Sequence, residues 1–207
     1  QSIREPIATL FDDVHHRMPA ALARACASRG LPLVHTSALG LHEQAESRFL
    51  SSKLQGERAI AASGCDHCIV RPSLIDGLGG FGASWLRMLA RWPVHFVPSG
   101  AVGRIAAVQA ADLGHAYAAL VRIGLTQGLV QQREANLGGP RLFDYAEYLQ
   151  VLRGVEASVR KRHAWQVPLP NIITRIGAHL CDVFRFSPFS WGHWILLQRD
   201  NVPEPNH

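Results

Sequence analysis

Lysine is almost absent from this chain. Its 207 residues include two lysines, Lys53 and Lys161, against nineteen arginines, and the formal net charge is still +5 at pH 7. A positive balance favours anionic partners such as phosphorylated ligands, acidic protein surfaces or anionic lipid heads. No lysine-rich run, DNA-binding motif or basic stripe with interleaved aromatic residues occurs in the sequence, so no nucleic-acid partner is predicted.

Long apolar runs and disulfide spacings are missing as well. No run of about eighteen apolar residues occurs, so membrane association is predicted to be peripheral at most. The four cysteines lack a secreted disulfide pattern and no signal peptide stands at the start, which favours a cytoplasmic protein. Cys65 and Cys68 form an isolated C-x-x-C without a second ligand pair, so we predict a turn and a buried strand here and no metal site.

Helical and strand patterns alternate over the first third of the chain. They predict a helix over 11–29, a strand over 31–37, a helix over 43–63 and a strand over 67–73. In the first helix, Val14, Met18, Leu22 and Cys26 share one face, which we expect to be buried, and Gly30 ends it. Because the strands show almost no polar alternation, they indicate a parallel sheet covered on both faces.

The remainder of the chain is less regular. The glycine-rich stretch over 76–84 is predicted to form a flexible connection or a lid, and the alternative is a loop that binds phosphate. Asp112 is predicted to cap a helix over 113–123, and Asp144 a helix over 145–153. Near the end lie many apolar and aromatic residues, which fit a core, a protein partner or a membrane surface: Ile172, Ile173, Ile176, Leu180, Val183, Phe184, Phe189, Trp191 and Trp194.

Polar and backbone-rich elements are predicted to converge at one edge of the sheet. Ser37 and the segment 72–76 follow two parallel strands, and Lys53 lies on the helix between those strands. Ligands of open α/β sheets bind at the carboxyl ends of the strands. The alternative for Lys53 is a surface lysine in an ordinary amphipathic helix.

Four stretches together resemble the short-chain dehydrogenase/reductase superfamily, in its extended or atypical, epimerase/dehydratase-like branch. They are "VHTSALG", "SRFLSSKLQGERA", "CIVRPSLIDG" and "VPSGAVGRIAAVQAADLGHAYAAL". The closing "ILLQRDNV" is similar to relatives of the nucleotide-binding accessory subunit of respiratory complex I, an NADH dehydrogenase. The resemblance implies an α/β fold: the C-terminal part of a Rossmann-like parallel sheet over 1–125, and a smaller helical region for substrate or partner over 126–207.

The resemblance also implies roles for single residues. Ser37 and Lys53 match the catalytic serine and lysine, and Ser37, Lys53, Pro72, Ser73, Leu74 and Ile75 are the expected contacts of NAD or NADP. In the superfamily a tyrosine four residues before the lysine transfers the proton while hydride moves. This chain has Phe49 there, which keeps the ring but has no proton to transfer.

The glycine-rich phosphate turn of the superfamily, G-x-x-G-x-x-G, is absent from the sequence. By the resemblance the chain starts after the fourth strand, as a fragment or a natural short form, and tight NAD or NADP binding is expected to need the missing N-terminal half. The sheet edge left unpaired there, like the aromatic tail, is an expected contact for a protein partner or a second copy.

Three functions remain open at this stage. The first is an NAD(P)-binding protein with weak or no oxidoreductase turnover, because of Phe49. The second is an active epimerase, dehydratase or reductase on a nucleotide-sugar-like substrate, with Ser37, His42 or Asp76 replacing the tyrosine. The third is a cofactor-free interaction module. His15, His16 and His35 are expected to be hydrogen-bonded structural residues.

Overall fold

The computed structural model describes residues 10–41, 48–77, 80–155, 163–184 and 197–203. After a π-helical turn over Asp13–Arg17, the helices are α1 (Met18–Arg29), α2 (Arg48–Ala61), α3 (Phe81–Arg91), α4 (Ala110–Thr126), α5 (Tyr145–Val155) and α6 (Asn171–Phe184). The strands are β1 (Leu33–Thr36), β2 (His67–Pro72), β3 (Ile75–Asp76), β4 (Val94–Pro98), β5 (Val108–Gln109), β6 (Glu134–Leu137) and β7 (Trp165–Leu169). Parallel strands with flanking helices confirm the predicted α/β, Rossmann-like class.

The chain divides into two compact units. The first comprises residues 1–72, 111–137 and 203–207, and the second comprises 73–110 and 138–202. The division at residue 125 stays a prediction of the sequence.

A parallel sheet in the order β1-β2-β6 forms the centre of the first unit. Leu33 pairs with His67, and Ile69 pairs with Glu134. In the described part of the chain the other edge of β1 has no partner strand. Because the three strands are parallel, their carboxyl ends lie at the same end of the sheet.

The face predicted to be buried on the first helix is wrong. Val14, Met18 and Leu22 are exposed, and Cys26 is half-buried. The buried residues are small, Pro19, Ala20 and Ala23, and Ala23 packs in a core with Leu33, Ile60 and Cys65. Small side chains let α1 approach the sheet closely, so the larger apolar stripe faces away from it. The predicted stop is confirmed, because Gly30 has a φ of 63°.

Cys65 and Cys68 are both buried, and Cys68 lies in β2. Burial raises the pKa of both thiols, that of Cys68 to about 11. A raised pKa keeps a thiol protonated and unreactive. Among the described residues no group of three or more His, Cys, Asp or Glu side chains is placed to hold a metal ion.

The second unit contains two parallel strand pairs, β3 with β5 and β4 with β7. Its core is formed by α3 and α5 through Leu86, Tyr148, Leu149 and others. The Asp144 cap is confirmed as a capping box: the Glu147 amide donates to Asp144 Oδ1 at 2.7 Å, and the Asp144 amide donates to Glu147 Oε2 at 3.1 Å.

Asp112 is not a cap, since α4 begins at Ala110 and Asp112 lies in its first turn. There its negative charge still interacts favourably with the helix dipole.

In the C-terminal region, Ile172, Ile173 and Ile176 are exposed on α6. Phe189, Trp191 and Trp194 lie outside the described residues. None of the helices in the described ranges is long and apolar enough to span a membrane.

Candidate functional site

Lys53 and Phe49 lie one turn apart on α2, as their spacing predicts. The Lys53 Nζ atom is 5.4 Å from the centre of the Phe49 ring, a cation–π distance. Both side chains are half-buried. In the part of the chain that the structure describes, Lys53 has no ion pair. Its ammonium group therefore keeps donors for a ligand.

Ser37 lies immediately beyond β1. Its amide donates to the Val70 carbonyl at 2.7 Å, which continues the ladder between β1 and β2. Alternation along the strand places its side chain on the same sheet face as that of His35. The side chain is 4% exposed, and Ser37 Oγ has no hydrogen-bond partner among the described residues. A buried hydroxyl without a partner is costly and is a common feature of a ligand site.

His15, from the π-helical turn, lies against the residue at the tyrosine position. Its ring centre is 5.1 Å from that of Phe49 in an edge-on arrangement, and the ring stacks on Phe11 at 5.5 Å. Its Nδ1 atom is 3.0 Å from Ser52 Oγ. Single π-helical turns within helices occur frequently at functional sites. The site thus combines a lysine, an aromatic ring and an imidazole.

Burial and positive charge act on the ionisable groups of this cluster. Burial lowers the pKa of Lys53, and the neighbouring Glu57 carboxylate partly offsets that effect. Burial, followed by the charge of Lys53, lowers the pKa of both His15 and His35. The two imidazoles are therefore neutral bases near pH 7.

An ion-pair network fixes α2 on the sheet. Arg71 on β2 donates to Glu57 Oε2 on α2 at 2.7 Å, and to Glu134 Oε2 on β6 at 2.6 Å. Glu57 is buried, and these hydrogen bonds raise the pKa of the Arg71 guanidinium. Because Glu57 is one turn beyond Lys53, the network also holds the lysine in register with the end of β1.

The predicted cofactor segment divides between the two units. Pro72 ends β2, and its carbonyl accepts the Leu39 amide at 3.2 Å, which joins it to the loop after Ser37. Ser73, Leu74 and Ile75 belong to the second unit. There Ser73 Oγ donates to the Asn201 carbonyl at 2.6 Å, and the Leu74 carbonyl accepts the Val108 amide. Ile75 pairs with Val108 in β3 and β5.

The residues proposed to replace the tyrosine as proton donor differ in their surroundings. His42 lies outside the described residues. Asp76, in the second unit, is buried and accepts hydrogen bonds from Arg87 at 2.6 Å and Gln109 at 3.2 Å. His15, expected to be structural, is hydrogen-bonded and also contacts Phe49. The sequence carries no local signal for that contact, because it depends on the π-helical turn.

No protein-family model and no curated protein matches this chain. Solved structures do match it. One is the ADP-L-glycero-D-manno-heptose-6-epimerase of Helicobacter pylori, at 13% identity and a TM-score of 0.58 over 75% of this chain and 54% of the epimerase. Another is the dTDP-4-dehydrorhamnose reductase of Bacillus anthracis in complex with NADP, at 16% and 0.60 over 95% of this chain and 76% of the reductase.

A third match is a dTDP-glucose 4,6-dehydratase of Streptomyces venezuelae with NAD bound, at 13% identity and a TM-score of 0.56 over 81% of this chain and 58% of the dehydratase. This chain has the fold of these enzymes. It spans little more than half the length of the epimerase and the dehydratase.

Proposed function

We propose that this chain binds a nicotinamide dinucleotide, NAD or NADP, at the carboxyl ends of β1 and β2. In this proposal Lys53 holds the ribose beside the nicotinamide, and Ser37 and Pro72 make further contacts. The contacts expected of Ser73, Leu74 and Ile75 stay a prediction of the sequence. Phe49 leaves proton transfer by the usual tyrosine route weak or absent. The observation that supports the proposal most is the Lys53 ammonium, half-buried beside the Phe49 ring with no ion pair among the described residues.

The residues present fit the ribose end of such a ligand. An ammonium group has three N–H donors, enough for two ribose hydroxyls. Ser37 Oγ, buried and without a partner in the described part of the chain, offers one more donor and acceptor. When bound, a nicotinamide dinucleotide would supply hydride transfer, and the residues named here would bind and orient it.

The phosphate end of the ligand lacks its usual binding motif in this sequence. The sequence contains no G-x-x-G-x-x-G turn, whose amides and helix N-terminus are the usual anchor of the pyrophosphate. We therefore expect weak binding by these 207 residues. A protein partner or a second copy at the open edge of β1 or at the aromatic tail, and the relation to respiratory complex I, stay predictions.

The second candidate is an active epimerase, dehydratase or reductase on a nucleotide-sugar-like substrate. The enzymes that share the fold act on such compounds by name. The contact between His15 and Phe49 favours it, because it places an ionisable ring beside the position of the missing tyrosine.

A fluorescence titration of the chain with NADH and NADPH tests the proposal. We expect saturable binding by the wild type, and binding weaker by roughly 10- to 100-fold in Lys53→Ala, the range expected for lost hydrogen bonds to a charged group. Lys161→Ala removes the same charge from the chain's other lysine and is the matched control. No binding by the wild type, or equal losses in both variants, would contradict the proposal.

A further inference from the structure

We propose that the His15 imidazole moves the proton that residue 49 cannot, through its Nε2 atom, between the enzyme and a hydroxyl or carbonyl of a keto-sugar nucleotide substrate. The inference rests on the proposed function, because the reaction requires a nicotinamide dinucleotide at the Lys53 site. It assigns a role to a residue that neither the motifs nor the matched structures assign.

The position of the imidazole is the first support. His15 packs against two aromatic rings, with Phe49 edge-on at 5.1 Å and Phe11 stacked at 5.5 Å, and the two phenyl rings contact each other at 6.1 Å. Phe49 occupies the tyrosine position, one turn from Lys53. The imidazole therefore belongs to the same cluster as the lysine, and its two ring contacts and one hydrogen bond orient it, as a proton-transfer group requires.

The Ser52 hydroxyl lies within hydrogen-bond distance of two groups, the Phe49 carbonyl at 3.1 Å and His15 Nδ1 at 3.0 Å. The hydroxyl has one proton, and the proposal assigns it to the Phe49 carbonyl. Ser52 Oγ then accepts a hydrogen bond from His15 Nδ1. This assignment places the proton of the neutral imidazole on Nδ1 and leaves Nε2 with a free lone pair. Nε2 is accordingly the atom able to accept a proton.

Burial and the surrounding charges keep the ring neutral. Burial, followed by the charge of Lys53 on α2, lowers the pKa of His15, and the same two causes lower the pKa of His35 on β1. On its own turn, the Asp12 carboxylate is engaged by Arg17 at 2.8 Å. No unpaired carboxylate among the described residues counters Lys53, so His15 is ready to act as a base near pH 7.

Transfer of a proton and a hydride together interconverts an alcohol and a carbonyl compound. In the oxidative direction the O–H proton of a substrate alcohol goes to His15 Nε2, and the hydride of the adjacent C–H goes to the oxidised nicotinamide dinucleotide, so that a C=O bond forms. In the reductive direction the imidazolium returns its proton to the carbonyl oxygen as hydride arrives at carbon.

A substrate-free measurement tests the location of His15. The oxidised and reduced dinucleotides differ by the positive charge of the nicotinamide ring, so a nearby imidazole titrates differently in the two complexes. With ¹⁵N-labelled histidine, and His15→Gln to assign the signal, we expect an Nδ1–H tautomer in the free chain. We expect a His15 pKa lower by about half a pH unit or more with NAD⁺ than with NADH.

His115, exposed on α4, is the internal control, and its ¹⁵N signals should be the same in both complexes. An Nε2–H tautomer, or equal pKa values of His15 in the two complexes, overturns the inference.

Turnover tests the step itself, with dTDP-4-dehydrorhamnose and NADPH as the probe. Because reduction consumes the imidazolium form of His15, turnover should rise as the pH falls from 8 towards 6.5. We expect His15→Gln to lower kcat at least about 100-fold at unchanged NADPH affinity, the usual effect of losing a general acid or base. Adding Phe49→Tyr to that variant should restore turnover. Equal turnover in wild type and His15→Gln, or no turnover in the wild type, overturns the role of His15. If NADPH binding is measured in the same preparation, the proposed function still stands. Absence of NADPH binding would instead defeat the proposed function.

Discussion

The backbone carbonyl of His15 lies directly against Gly56. A Cβ atom built on Gly56 would clash with the carbonyl oxygen of His15, which belongs to the backbone of the π-helical turn. Only a hydrogen atom fits at this position. The absence of a side chain at residue 56 therefore allows α2 and the π-helical turn to approach closely enough for His15 to contact Phe49.

Gly56→Ala is expected to separate the two elements. Because the obstructing atom is backbone rather than a flexible side chain, we expect overpacking to lower the free energy of unfolding by about 1–3 kcal/mol. For a chain of this size that corresponds to a fall in Tm of roughly 2–4 °C for each kcal/mol. Thermal unfolding followed by circular dichroism measures it.

Gly114→Ala is the matched control for this substitution. Gly114 lies within α4, and a Cβ atom there would meet nothing within 4 Å. The same change should raise stability by roughly 0.5–1 kcal/mol, since alanine favours a helix interior more than glycine. Equal effects at the two positions would show that the contact with His15 does not control the packing.

The sequence predicted the elements that local chemistry determines. Apolar runs and helical spacing predict the strand before Ser37, the buried strand over 67–73 and the helix that carries Phe49 and Lys53. Gly30 and Asp144 were recognised because a left-handed residue and a capping carboxylate have residue preferences of their own.

Features that depend on packing were not predictable in the same way. The apolar stripe of Val14, Met18 and Leu22 is real as a pattern, but periodicity does not say which face the sheet covers. The sheet covers the small face around Ala23. Likewise, the sequence places Lys53 near Phe49, whereas the contact with His15 requires a π-helical turn that no residue preference announces.

Ser37→Ala is expected to have opposite effects on folding and on binding. Removing a buried hydroxyl that has no partner among the described residues should leave the free energy of unfolding unchanged or slightly raised. The same change should weaken NADH or NADPH binding if that hydroxyl contacts the ligand. Urea unfolding and the fluorescence titration, made on one preparation, separate the two effects. A loss of stability above about 1 kcal/mol would identify a structural hydroxyl instead.

Arg71→Met is expected to be strongly destabilising. The substitution leaves the Glu57 carboxylate buried without its partner, at a cost of about 3–5 kcal/mol. Arg71→Met combined with Glu57→Gln should recover much of that loss. Glu134→Gln, at the exposed end of the network, should cost at most about 1 kcal/mol. Similar losses in Glu134→Gln and Arg71→Met, measured by urea unfolding, would contradict this division of the network.

Stability is expected to fall as the pH drops below about 6.5, the ordinary pKa of histidine. The folded-state pKa values of His15, His35 and His95 are lowered, first by burial in each case. The unfolded chain therefore binds more protons in this range, and the free energy of unfolding decreases as the pH falls. Urea midpoints should be level from pH 8 to 7 and lower at pH 5.5, with a smaller drop in His35→Gln. A level midpoint down to pH 5.5 would refute the prediction.

Phe49→Tyr is expected to introduce a phenol with a pKa below 10, because the Lys53 ammonium stabilises the phenolate. A unit charge near 5.4 Å would lower the pKa by about half a unit to two units, depending on the effective dielectric. The native tyrosines do not interfere, because burial raises the pKa of Tyr117 and Tyr148, and that of Tyr145 to about 12. Absorbance at the phenolate band, titrated against wild type, should show one early transition.

Lys53→Ala in the Phe49→Tyr background is the control, and it should move that transition back towards higher pH. An early transition that depends on Lys53 would mean that the lysine still has the electrostatic setting to activate a proton donor at residue 49. Phe49 would then be the single change that closes the tyrosine route. A transition at or above pH 10 in both variants would mean that the pocket around Lys53 has lost this setting as well, and that His15 is the only proton carrier left to consider in the cluster formed with Phe49 and Lys53.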